Sequence, residues 1–279
     1  MNIALLTKKF SDIGARIKIN DPKSRNRRNS GSFLIDVQKD SEGEYFDIRI
    51  QEEIEALILD AQKKDRHLLL MARIPDNPKA KFLCGHDERH WFSAAIPESR
   101  PATTVIQAKQ ALKPVELIDL EVKGGIKVKN AQKRRRKLAS GIKIVRQGEF
   151  NFVPDPKHIP PKDAIIFRNE PMRGGGTNFH WAEFLYRTGG TVVYTRIGPR
   201  LLLAKEKKLP SLLSLSEYNN LTREDKTRYR SMVRDATVYV KGRISHKEHA
   251  TVHLGGIWHK VLINTEAQSK ARANSVFLD

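Results

Sequence analysis

Apolar positions recur along this chain mostly at every second residue, in short runs separated by polar turns. Phe33–Val37, Tyr45–Ile50, Glu55–Leu59, His67–Arg73, Lys81–Cys84 and Trp91–Ile96 follow one another closely, with charged turns such as 62–66 and 85–89 between them. Short strands at this spacing, without long helices between them, predict an antiparallel sheet. Helical spacing is confined to brief stretches. Ile3, Leu6, Phe10 and Ile13 predict a helix over 2–14, and a strand over 15–19 follows it. Val105, Ala108, Ala111 and Leu112 predict a helix after Thr103/Thr104 that ends before Pro114.

Beyond residue 146 the pattern predicts strands at 149–153, 164–167, 191–197 and 238–241, with an apolar segment at 201–204. Arg173 and the Gly174–Gly176 run are expected to open a short helix, capped by Thr177 or Asn178, with Trp181, Phe184 and Leu185 on one side. Such a glycine loop exposes backbone N–H groups suited to a phosphate, although its spacing is neither that of a Walker A loop nor GxGxxG. Thr222 to Asp225 resembles a capping box. It predicts a basic helix over 223–234 that surrounds Tyr229, Met232 and Val233 with Arg223, Lys226, Arg228, Arg230 and Arg234. The expected class is α+β, a largely antiparallel sheet with short helices. Its two parts are residues 1–120 and 146–279, joined by a basic segment at 121–145.

Composition sharpens this picture through charge. The chain of 279 residues holds 51 Lys+Arg against 32 Asp+Glu, a net charge of +19. A balance this basic steers polyanions, so nucleic acid, DNA or RNA, is the expected partner. Three groups of cations are candidates for phosphate contact. The polar loop 23–32 carries Arg25, Arg27 and Arg28. The segment 121–150 holds ten cations, among them Arg134, Arg135 and Arg136, against Glu121 and Glu149. The third group is Arg173 with the expected helix and the following basic edge at Lys241 and Arg243. No run approaches the ~20 apolar residues that span a bilayer. The N-terminus lacks a secretory pattern, and a single cysteine permits no internal disulfide. A cytoplasmic location is expected, or a nuclear one in a eukaryote.

Candidate chemistry concentrates at 237–263, which contains four of the nine histidines. His246, Glu248, His249, His253 and His259 are the candidate acid/base or ligand groups of a nuclease or phosphodiesterase, with Mg or Zn as the candidate cofactor. Gly255-Gly256 reads as a two-residue hairpin turn joining 251–254 to 257–263. That register places His253 and His259 on opposite faces, whereas a three-residue loop pairs them. Metal ligation, proton transfer or phosphate contact, and a purely structural role all remain open for these residues. Cys84, His86 and His90 form a second, less specific candidate metal set. Three functions follow from the residues: a nucleic-acid-binding protein, a nucleic-acid-processing enzyme, and a charge-based assembly protein.

Overall fold

A computed structural model of the protein describes residues 3–20, 33–51, 53–73, 78–124, 135–137, 143–174, 178–197 and 210–276. Strand accounts for 49% and helix for 19%, so the chain is an α+β protein of mostly antiparallel sheet. Helix α1 (Ile3–Asp12) buries Leu6 and Phe10, and Gly14, at φ +80°, turns the chain into β1 (Arg16–Asn20). A hairpin of β2 (Phe33–Asp40) and β3 (Gly43–Ile50) follows, and β1 runs parallel to β3. The next four strands, β4 (Glu55–Gln62), β5 (His67–Arg73), β6 (Ala80–Asp87) and β7 (His90–Ala95), form an antiparallel meander.

The two small sheets enclose one core. Phe33, Ile35, Phe46 and Ile48 meet Leu68, Leu70 and Phe82 there, with Phe10 of α1 closing one side. The opposite face of the meander buries Leu69 and Leu83 against helix α2 (Val105–Ala111). Strand β5 is therefore covered on both faces, which explains its unbroken apolar run LLLMA. Thr104 caps α2, its hydroxyl accepting the Gln107 N–H at 3.2 Å.

Helix α3 (Val115–Lys123) leads into a larger sheet. Its strands are β8 (Arg135–Lys137), β9 (Lys143–Gln147), β10 (Phe150–Pro154), β11 (Ile166–Met172), β12 (His180–Thr188), β16 (Thr237–Ser245), β17 (Val252–His253) and β18 (His259–Ile263). They lie in the order β11-β12-β16-β18-β10-β9-β8, with β17 added to β16. Phe150, Phe152, Ala182, Leu185, Val240 and Ile244 form its core. A three-stranded sheet of β13 (Thr191–Arg196), β14 (Leu212–Ser214) and β15 (Tyr229–Arg234) follows β12 through Gly189-Gly190, with short helices α4 (Leu215–Asn219) and α5 (Arg223–Lys226) beside it. The chain end returns to the start: β19 (Ser275–Val276) pairs with β2, and Glu266, almost fully buried, accepts the Ala95 N–H at 2.9 Å. Among the described residues no helix is long and apolar enough to cross a membrane.

Three expectations are corrected. The segment after Gly174–Gly176 is strand β12, not a helix, because β11 and β16 pair with it on both sides and aromatic side chains suit a pleated surface. The basic helix over 223–234 stops at Lys226. Thr222 does cap it, accepting the Asp225 N–H at 3.2 Å, but residues 229–234 pair along β13 from Arg196↔Tyr229 to Thr191↔Arg234. The Gly255-Gly256 hairpin is absent. Strand β17 folds back on β16 (Arg243↔His253, Ile244↔Val252), while β18 pairs with β16 and β10. The stretch 246–251 thereby becomes a hairpin loop. The expectations for 23–32, 125–134, 138–142, 175–177 and 201–204 lie outside the described residues.

Candidate functional site

The turn Gln147-Gly148-Glu149 between β9 and β10 builds one wall of a histidine cluster. His180, the first residue of β12 and 1% exposed, lies against it. The Gln147 amide nitrogen donates to the carbonyls of Ala250 (2.8 Å) and Ile244 (3.4 Å), so its oxygen is the atom facing His180 Nδ1 at 3.0 Å. His180 therefore donates through Nδ1, and its Nε2 faces Glu149 Oε2 at 3.4 Å. Gly148, at φ +56°, leaves the necessary room: a Cβ there would lie 2.9 Å from His249 Nε2 and 3.3 Å from His180 Nε2.

His246 and His249 come from the β16–β17 loop. The Nδ1 of His246 accepts the backbone N–H groups of Glu248 (3.1 Å) and His249 (3.2 Å), which curls the loop over His180. Ring centroids lie 4.2 Å apart for His180–His246, 4.7 Å for His246–His249 and 5.7 Å for His180–His249. One nitrogen from each of the three rings lies within 4.8 Å of the others. Glu88, from the N-terminal meander, holds the loop by accepting the Ala250 N–H at 3.0 Å. Glu248 accepts the Asn178 amide at 3.3 Å.

Burial pushes His246 down to about 4, helped by repulsion from His180 and His249. Burial and then His180 lower His249 as well, against the pull of Asp87, Glu88 and Glu149. Burial alone would raise Glu149, but its contact with His180 and the fields of His180 and His249 outweigh that and hold it below its ordinary range. Imidazoles kept neutral at pH 7 beside an ionised carboxylate are equipped to move a proton or to hold a metal ion.

A second feature lies on the face of the same sheet. Register places Arg168, Phe184 and Lys241 side by side across β11, β12 and β16. The Arg168 guanidinium lies 5.4 Å from the Phe184 centroid. The Lys241 ammonium lies 5.3 Å from Phe184 and 4.8 Å from Trp258. Neither cation has a carboxylate partner among the described residues. The part of the chain that supplies this row is one-sided in charge: residues 121–279 hold 31 Lys+Arg against 14 Asp+Glu, a surplus of 17, whereas residues 1–120 hold 20 against 18.

The sequence-derived candidates divide accordingly. His246 and His249 join the cluster, and Glu248 borders it. His253 is exposed on β17. His259 is buried in β18, donates to the Ile257 carbonyl at 3.1 Å and stands apart. Arg173, Arg223, Arg230 and Arg243 are exposed, Arg228 is half-buried, and Arg234 is exposed and pairs with Asp235 at 3.0 Å. Arg135 and Arg136 fall in β8, while Arg25, Arg27, Arg28 and Arg134 lie outside the described residues.

Cys84, His86 and His90 do not converge. Cys84 is sealed in the core, where burial raises its thiol. His86 abuts the Trp91 ring, and His90 Nδ1 binds Glu44 at 2.5 Å. The hairpin register pairs Cys84 with Ser93, His86 with Trp91 and His90 with Asp87, which spreads the three groups along the ladder. Sequence reasoning missed His180, Gln147 and Glu149. They reach the loop histidines only through the pairing of β9, β10, β12 and β16, and no local spacing signals it. No family model, curated protein or solved structure matches the chain.

Proposed function

We propose that this protein binds nucleic acid, DNA or RNA, mainly through phosphate contacts. The observation that carries the reading is the row Arg168–Phe184–Lys241–Trp258, in which cations free of carboxylate partners among the described residues alternate with rings. Guanidinium and ammonium groups meet phosphates, and the half-buried Phe184 ring offers a face to a stacked base, while the buried Trp258 backs Lys241, so such a row suits a single strand. Arg173, Arg223, Arg230 and Arg243 are exposed as well and add to the positive charge of this part of the chain.

A second reading, an enzyme that cleaves nucleic acid, is favoured by the convergence of His180, His246 and His249 beside Glu149. Neutral imidazole accepts a proton from an attacking nucleophile. One experiment separates the readings. Labelled single- and double-stranded DNA and RNA are incubated with Mg²⁺, Mn²⁺, Zn²⁺ or EDTA and run on native and denaturing gels in parallel. Salt-sensitive retention without cleavage is the expected result. Cleavage that disappears in a His180→Ala/His249→Ala variant would establish the enzyme, and no retention even at low salt would end the nucleic-acid reading.

A further inference from the structure

We propose that His180, His246 and His249 bind a divalent d-block metal ion of the zinc class, with the Glu149 carboxylate beside His180. The first argument is the surroundings of His180. One ring nitrogen faces the Gln147 oxygen at 3.0 Å and the other faces the Glu149 carboxylate at 3.4 Å. Both neighbours are acceptors. With the Nδ1 proton committed to Gln147, a neutral ring would aim a lone pair at a carboxylate inside a nearly closed site. A positive charge has to lie between them, and a proton or a metal ion supplies it.

The geometry points to the metal. Zinc bonds of about 2.0–2.1 Å in a tetrahedron set neighbouring ligand atoms about 3.3–3.4 Å apart, and one nitrogen from each of His180, His246 and His249 already lies within 4.8 Å of the others. The Nδ1 atom of His249 is buried with no hydrogen-bond partner among the described residues, a costly state for a polar atom unless a ligand engages it. Gln147 orients His180 through Nδ1, as outer groups orient metal-bound histidines, and its own amide is fixed by two backbone carbonyls. Gly148 keeps the floor of the site open for the rings. Three consecutive residues thus orient a ligand, leave space and supply the carboxylate.

The donor set selects the ion. Three imidazoles and one carboxylate suit zinc and its neighbours, while Mg²⁺ prefers oxygen ligands and retained water. His246 is the weakest member: its Nδ1 already accepts two backbone N–H groups, so it ligates only by losing its Nε2 proton or turning its ring over. The three imidazoles tie the start of β12 to the 246–251 loop, with the 147–149 turn packed behind them. The ion is thus a structural staple.

The test uses the full-length untagged chain. Metal content is measured after purification, and chelator-treated protein is then titrated with Zn²⁺, Co²⁺ and Mg²⁺ while thermal unfolding and Co²⁺ absorption are followed. One equivalent of zinc, a four-coordinate Co²⁺ spectrum and a melting temperature raised by Zn²⁺ but not Mg²⁺ are expected. His180→Ala and His249→Ala should abolish binding, and Glu149→Gln and Gln147→Ala should weaken it about 10–100-fold. His246→Ala should weaken it less than the other histidine variants, and His253→Ala should leave it unchanged. Substoichiometric zinc, or undiminished binding in His249→Ala, would overturn the proposal. So would a wild-type chain that yields no four-coordinate Co²⁺ spectrum, which would leave a proton bridge between His180 and Glu149. The spectrum is read on the wild-type chain, so the test survives a variant that fails to fold, and metal content is independent of nucleic-acid binding.

Discussion

The N-terminal sheets and the eight-stranded sheet use the same residue types in opposite ways. In residues 1–120 the cations are nearly matched by acids, and the pairs are close: Arg16 and Lys18 share Asp40 at 2.7 and 2.8 Å, Arg49 holds Asp47 at 2.7 Å, and Arg73 meets Glu55 at 3.1 Å. Beyond residue 120 cations outnumber acids by more than two to one, and Arg168 and Lys241 rest against rings instead of carboxylates. Histidines follow the same division. His67 binds the Asp65 carbonyl, His86 a tryptophan edge and His90 Glu44, each tied separately along a regular meander. His180, His246 and His249 are gathered because a turn, a strand start and a loop meet at one end of the larger sheet. A cation already paired at the surface has little left for a partner, and an isolated histidine has no neighbour with which to share a ligand. What distinguishes the two regions is the supply of acids and the meeting of strand ends.

Several substitutions test that contrast. The largest effect is expected from Arg168→Gln/Lys241→Gln/Arg243→Gln. Removing three phosphate contacts should weaken nucleic-acid binding on the order of 100-fold at low salt and reduce the salt slope by roughly three. The matching variant Lys18→Gln/Arg49→Gln/Arg73→Gln should leave both unchanged. Fluorescence anisotropy over a salt series checks this, and equal losses in the two variants would erase the distinction.

Next in size is a pair of glycine substitutions. Gly43, at φ +114°, has nothing within 4 Å of an added Cβ, whereas Gly148 would crowd His249 and His180. Gly43→Ala should cost backbone strain alone, about 1–2 kcal/mol, and Gly148→Ala about 2–3 kcal/mol, because displaced rings add to the strain. Urea unfolding measures both.

Phe184→Ala should lower single-strand affinity roughly tenfold through lost stacking and leave duplex affinity nearly unchanged. Tyr45→Ala, which removes a ring under the acid-paired Lys18, should change neither.

The smallest effect is on pH dependence. Burial lowers both His67 and His246 to about 4, so each stays neutral in the folded chain while the unfolded chain takes up a proton below about 6.5. Stability is then fully present above that value and declines as pH falls from 6.5 towards 4. Asp40, held low by Arg16 and Lys18, acts only below the ordinary carboxylate range and leaves this window clear. In chelator-treated protein, urea midpoints at pH 7 and pH 4.5 should differ less for His67→Gln and His246→Gln than for the wild-type chain.

Much of the N-terminal part was legible in its pattern. The helix at Ile3–Asp12, the strands from Phe33 to Ala95 and the Thr104-capped helix appear where periodicity places them, since local contacts and one buried face dictate each of them. The pattern misled where pairing partners are remote. Residues 180–188 and 229–234 carry spacings that read as helices, yet β16 and β13 recruit them as strands. Of the cluster, only His246 and His249 were legible, because they are three residues apart; His180 and Glu149 arrive from distant segments.

The amino-acid pattern by itself determined the strand-rich α+β class, the principal short helices and the basic balance, because these depend on composition and on neighbours within a few residues. Only the tertiary structure decided which strands join, that β17 turns back on β16, and that Gln147, Gly148 and Glu149 meet three histidines. Those outcomes rest on hydrogen-bonded pairings between segments tens of residues apart, chosen by which faces the whole chain can bury together.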